Sequence, residues 1–237
     1  MMQKTLSKEI SFQGNALHTG EVVNVKLIPS AENTGIIFVR EDLENAEIPA
    51  LVKYVNRTDR QTILQNGEAS VGTVEHLMAS LYALGIDNLR VELNGSEVPI
   101  LDRSAAPLVD LILEAGIEEQ SVEKNFYVLE ETFTFKDEDG SEIMALPSEE
   151  FEVSALIDYG SSVLGPQHAH LDKMVNFRDE IASARTFSFL RELEPLLDAG
   201  LIKGGDLNNA IVYVDQDIAP STLDKLKTAF GRDDVEV

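Results

Sequence analysis

Four histidines, His18, His76, His168 and His170, are the chain's whole supply of imidazoles, and cysteine is absent. A disulfide framework, a Cys-ligated zinc site and a cysteine nucleophile are therefore excluded. The pairing with the most chemistry in it is Glu75-His76. A neutral imidazole is a good zinc ligand, and an adjacent carboxylate can take a proton from a metal-bound water whose pKa the metal draws down towards ~7. A lone helical histidine is more often a packing or surface residue. The chain contains no His-Glu-x-x-His, so the metalloprotease helix is ruled out. A competing cluster is His168-Ala169-His170-Leu171-Asp172, which could offer two ligand types from one helical face or a histidine pair from a strand. Gly165-Pro166 immediately before it favours a loop. His18 lies in the glycine-bracketed run Gly14–Gly20 and reads as a turn histidine bonded to backbone. No phosphate loop, dinucleotide fingerprint or nucleophile elbow is present.

The elements that must position these residues change period along the chain. Val22–Ile28, Ile36–Val39 and Ile63–Leu64 are β-branched runs bounded by turn residues, a strand signal. From Thr73 to Leu84 the apolar residues Val74, Leu77, Met78, Leu81 and Leu84 recur at helical spacing, with Thr73 expected to cap the helix and Gly85 to stop it. A strand at Leu89–Leu93 and a helix at Pro107–Ala115 follow. The charged segment Glu118–Lys124 reads as a linker. The order then restarts. Strands are expected at Phe126–Glu130, Thr132–Phe135, Ile143–Leu146 and Phe151–Ile157, then helices at Phe177–Ala184 and Phe187–Ala199. A strand at Ala210–Val214 and a helix at Ser221–Phe230 complete the series. The reading is an α+β protein of two layered domains, residues 1–121 and 125–237.

Composition narrows the partners. With 42 acidic against 19 basic residues the net charge is −23, which repels nucleic acid. No apolar run approaches the ~20 residues of a membrane helix, and Met1–Thr5 lacks a signal peptide's apolar core. A cytoplasmic protein without membrane insertion is expected.

Several stretches together carry a resemblance. They are Leu17-His18-Thr19-Gly20, Thr73-Val74-Glu75-His76-Leu77-Met78-Ala79-Ser80-Leu81, Gly85-Ile86-Asp87-Asn88 and Glu97-Val98-Pro99-Ile100-Leu101-Asp102 with Ser104-Ala105. Ala184–Phe189 and Gly204–Val212 complete the set. In this order they resemble the UDP-3-O-acyl-N-acetylglucosamine deacetylases of lipid A synthesis. The resemblance implies two similar α+β domains with the active site between them, and zinc-dependent hydrolysis of the N-acetyl group of a UDP-linked, 3-O-acylated glucosamine. It makes His76 a zinc ligand, Glu75 the general base and Thr186 an oxyanion donor. It places Phe187 near the site, and Leu190, Leu193, Ile202 and Leu207 along an acyl-chain passage, though ordinary core packing explains these four equally well. Val153–Leu171 looks like the Bacteroidetes-type members, some of which are fused to an acyl carrier protein dehydratase, so such a fusion is an expectation for the full-length protein.

Two departures stand out. Asp102-Arg103-Ser104 replaces the family's usual Asp-Gly-Ser. The family's further zinc ligands come from a His-Lys-x-x-Asp helix, which does not occur before Val237. The expectation is an incomplete second domain with exposed core, one zinc ligand where three are needed, and a chain inactive or nearly so on its own. The competing expectations are a relative that binds UDP-sugar or a partner without turnover, and an unrelated acidic domain that binds metal through His168, His170 and Asp172.

Overall fold

The computed structural model describes residues 1–192, 195, 211–215, 222, 224, 225, 227 and 228. Chain order begins with strands β1 (Met2–Leu6), β2 (Ile10–Asn15), β3 (Val22–Pro29), β4 (Ile36–Arg40) and β5 (Ala46–Pro49), then β6 (Val55–Arg57), β7 (Ile63–Asn66) and β8 (Ala69–Val71). Helix α1 (Glu75–Ala83), strand β9 (Leu89–Leu93), helix α2 (Ala106–Ala115) and strand β10 (Ile117–Glu123) follow. The main sheet has the order β2-β3-β9-β4-β5, antiparallel except for the parallel β4–β9 pair. A second, three-stranded sheet is β6-β7-β8.

Alternation explains why one face of the main sheet is dry. Val23, Val25 and Leu27 of β3 and Leu89, Val91 and Leu93 of β9 are buried, while Lys26, Arg90 and Glu92 point the other way and pair with one another and with Glu41 and Glu47. Leu77 and Leu81 of α1 and Leu108 and Ile112 of α2 pack onto the dry face. Each such side chain contributes about 1.5–3 kcal/mol by leaving water. That contact fixes α1, and with it Glu75 and His76, against the sheet. Gly85 ends α1 as expected: its φ of 72° is a left-handed conformation that glycine adopts without penalty.

The segment read as a linker is mostly strand. β10 pairs antiparallel with β1, so the two ends of the stretch 2–123 are zipped together. The misreading has a simple cause: a half-exposed strand with acidic side chains facing water looks, in sequence, like a charged linker. Asn88 pins this closure. Its side chain is buried, donates to Gln3 Oε1 (2.8 Å) and Gln120 Oε1 (2.7 Å), and accepts from the Gly35 amide (2.9 Å). Thr5 Oγ1 donates to the Asn88 carbonyl at 2.6 Å. Asn88→Ala removes the partner of the buried Gln3 and of the half-buried Gly35 amide and Gln120, and we expect a loss of about 2–3 kcal/mol, read as a lower urea midpoint at unchanged slope.

Beyond β10 the described elements are β11 (Phe133–Lys136), β12 (Glu142–Ala145), β13 (Val153–Ile157), β14 (Gln167–Leu171), helix α3 (Phe177–Glu180), β15 (Ser188–Phe189) and β16 (Val212–Tyr213). β11–β12 and β13–β14 are antiparallel hairpins, and β15–β16 is a parallel pair. The mixture of sheets and helices is the α+β class expected. No strand forms at Phe126–Glu130, where Tyr127 is 92% exposed and without a partner strand to align it. The helix expected over Phe177–Ala184 stops at Glu180, because the Ala182 carbonyl is turned out to accept from the Ala105 amide (2.9 Å). The one expected from Phe187 begins instead with a strand, and the chain is helical from Leu190 to Glu192.

Ala105 and Val109 pack with Leu171, Phe177 and Ala182 in a second, smaller apolar cluster. Phe133, Phe135, Ile143, Met144, Leu156 and Ile157 of the hairpins are exposed. Among the described residues no helix is long and apolar enough to cross a membrane.

Candidate active site

Glu75 and His76 are the first two residues of α1, and both are half-buried. Their placement is set one step earlier in the chain. Thr73 does not cap the helix, since Val74 takes the N-cap position without a side-chain bond. Thr73 is instead buried, with φ at 55°, a left-handed conformation that a β-branched residue rarely takes. The hydroxyl that could have capped is used elsewhere, donating to Glu97 Oε1 at 2.9 Å.

Glu97 is the anchor. Its carboxylate is buried and also accepts from the backbone amides of Leu17 (2.9 Å), His18 (3.1 Å) and Thr19 (3.1 Å). Flanking it, the Gly72 amide donates to the Ser96 carbonyl (2.9 Å) and the Val98 amide to the Gly72 carbonyl (3.0 Å). One carboxylate thus ties the turn after β2 to the residues that launch α1. His18 therefore contributes its main-chain amide, and its buried Nε2 has no hydrogen-bond partner among the described residues. Sequence reasoning assigned Glu97 no role, because a single acidic residue between a turn and a proline looks like surface.

At the other end of the Glu97 segment the chain turns at Asp102–Ser104. Asp102 Oδ1 accepts from the amide (3.0 Å) and hydroxyl (2.7 Å) of Ser104. This turn receives the segment that leads into β15: the Thr186 amide donates to the Arg103 carbonyl (3.0 Å) and Arg185 Nε to the Asp102 carbonyl (2.8 Å). Thr186 itself is exposed. Phe187 is half-buried among Tyr159, Phe189 and Tyr213, with ring centroids 5.0–5.5 Å apart in edge-on contacts. Leu190 is wholly buried, whereas Leu193, Ile202 and Leu207 lie outside the described residues, as does the Gly204–Ala210 stretch.

Burial holds the His76 pKa below 6.5, outweighing the pull of the Glu75 and Asp102 carboxylates. The imidazole is thus neutral at pH 7, the form that can ligate a metal. The folded chain resists a proton that the unfolded chain accepts, so His76's contribution to stability is intact above pH 6.5 and falls as the pH drops below it. In the metal-free protein, an NMR titration should place the His76 midpoint below 6.5. Glu75 Oε2 accepts from the Thr62 amide at 3.0 Å, which fixes the carboxylate's direction.

The competing histidine cluster does not assemble. His168 and His170 lie in strand β14, not in a loop, with His168 Nε2 3.1 Å from Ser154 Oγ across the hairpin. Strand pairing with β13 has overridden the Gly-Pro signal. Asp172 falls one residue past the strand and accepts from Asn176 Nδ2. Among the described residues no group of three His, Cys, Asp or Glu side chains could hold a metal ion. His76 suits a metal by its neutral state, but by themselves the described residues do not make a zinc centre.

The family model of the UDP-3-O-acyl N-acetylglycosamine deacetylases matches residues 3–227. The chain is 46% identical over 233 residues to the bifunctional enzyme LpxC/FabZ of Bacteroides thetaiotaomicron, covering 98% of this chain and 50% of that protein. It is 42% identical over 231 residues to the bifunctional enzyme of the same description from Porphyromonas gingivalis, covering 97% and 50%. To the UDP-3-O-acyl-N-acetylglucosamine deacetylase of Myxococcus xanthus it is 47% identical over 212 residues, 89% of this chain and 67% of that one. The chain spans about half the length of the two bifunctional relatives. It belongs to the UDP-3-O-acyl N-acetylglycosamine deacetylase family.

Proposed function

We propose that the protein carrying this chain removes the N-acetyl group from UDP-3-O-acyl-N-acetylglucosamine, a step of lipid A synthesis, in a zinc-dependent reaction in the cytoplasm. The observation that carries the reading is the joining of two separate stretches at one turn. Asp102–Ser104 sits close enough for Asp102 to act on His76, and its backbone receives Thr186. Deacetylation needs a base for the attacking water and a donor for the oxygen that becomes negative. Glu75, aimed by the Thr62 amide, is the base. The Thr186 hydroxyl, on an exposed segment just before β15, is the donor. His76 is one zinc ligand, and the others come from outside the described residues.

Phe187 contacts the sugar nucleotide beside Thr186, and Leu190, Leu193, Ile202 and Leu207 border the acyl chain. Residues 1–121 and 125–237 form two units with the site between them. The relatives' bifunctional names support a second activity in the whole protein. The metal assignment is tested by elemental analysis of the purified gene product and its His76→Ala variant. Zinc present in the first and lost from the second, with the fold retained by circular dichroism, is the expected result. Full zinc occupancy without His76 would remove it from the ligand set.

A further inference from the structure

We propose that Arg103 and Arg185 form a binding site for an oxyanion, a carboxylate or phosphate, beside Thr186. Arg103 is 5% exposed, yet its buried Nε has no hydrogen-bond partner. Among the described residues no carboxylate pairs with its guanidinium, and the one charge that acts on it is the like charge of Arg185. Burial and that neighbour both press the Arg103 pKa down. Arg185 spends its Nε on the Asp102 carbonyl and is otherwise exposed, with no ion pair. A buried guanidinium with an unpartnered Nε and a like charge near enough to repel it is unfavourably placed, because a buried charge is stable when paired and hydrogen-bonded. An oxyanion reverses the sign, and guanidinium forks suit its geometry.

The backbone strengthens the case that the side chain is wanted for something other than folding. Arg103 has φ at 70°, a left-handed conformation that glycine takes freely and arginine does not. A residue kept for the turn alone would be glycine. The site lies one residue from Thr186 and one from Asp102, so an anion held there sits beside the proposed reaction centre. The two sources of such an anion, the substrate's diphosphate and the acetate released, rest on the deacetylase reading; the anion site itself does not.

The test is calorimetric titration of the chelator-treated protein with sodium pyrophosphate, phosphate and acetate at constant ionic strength, alongside Arg103→Gly and Arg103→Lys. We expect at least one anion to bind, about tenfold or more weaker in Arg103→Gly and largely recovered in Arg103→Lys. The unliganded glycine variant should melt no lower than the parent. Preference for pyrophosphate assigns the site to the diphosphate, and preference for acetate to the released carboxylate. Absence of binding, or equal binding by the glycine variant, overturns the proposal, as does a glycine variant that melts lower with no recovery in the lysine variant. Metal and turnover play no part in the titration, so its failure leaves the deacetylase reading standing, and the converse holds.

Discussion

Replacing Glu75 by glutamine is expected to slow deacetylation by about 10²- to 10⁴-fold, the usual share of a general base. The substitution is close to isosteric. Glutamine's carbonyl oxygen can still accept from the Thr62 amide, which lies 3.0 Å from the native Oε2. What it cannot do is take a proton from water. The loss should therefore fall on kcat, with KM and the melting temperature nearly unchanged. Release of acetate from the acylated UDP-sugar, followed over time for both proteins, measures it. A variant that loses rate and melting temperature together would point to a role for Glu75 in holding the Thr62 segment.

The largest effect on stability is expected at Glu97. Its carboxylate receives three backbone amides and the Thr73 hydroxyl, all within 2.9–3.1 Å. Truncation to alanine leaves four donors without their acceptor and releases Thr73 from the bond that offsets its left-handed backbone. Hydrogen bonds to a charged acceptor are worth about 1.5–3 kcal/mol each, though the losses of a shared acceptor do not add. A loss of about 3–5 kcal/mol is the expected outcome, measured from denaturant unfolding at neutral pH. Glu97→Gln keeps one acceptor oxygen and should lose about half as much. Because Thr73 precedes Glu75 by two residues, Glu97→Ala should also impair turnover in whatever fraction stays folded.

Where burial and period coincide, the elements could be read from the letters. β3, β9, α1 and α2 all lie where alternation or helical spacing put them, since one dry face demands a strict pattern. Strands with one wet face and polar side chains could not be read. Ile10–Asn15 and Ile117–Glu123 carry too few β-branched residues to be told from loops, and only partners far along the chain make them strands. The same limit governs the site. Glu75 and His76 are adjacent in sequence and show their chemistry directly. Glu97 acts on residues 24 and about 79 positions away, so its role exists only in the fold. Arg103 stands out in the sequence as a departure from a glycine turn, but its lack of a partner among the described residues is a fact of burial that no spacing encodes. Thr73 shows the opposite error: a good local cap signal lost to a tertiary hydrogen bond.

The most direct test of the deacetylase reading is mass spectrometry of the products when the purified gene product is incubated with UDP-3-O-acyl-N-acetylglucosamine. Acetate and a UDP-sugar bearing a free 2-amino group with its 3-O-acyl chain intact are the expected products. An unchanged sugar nucleotide, or release of the O-acyl chain in place of acetate, would contradict it.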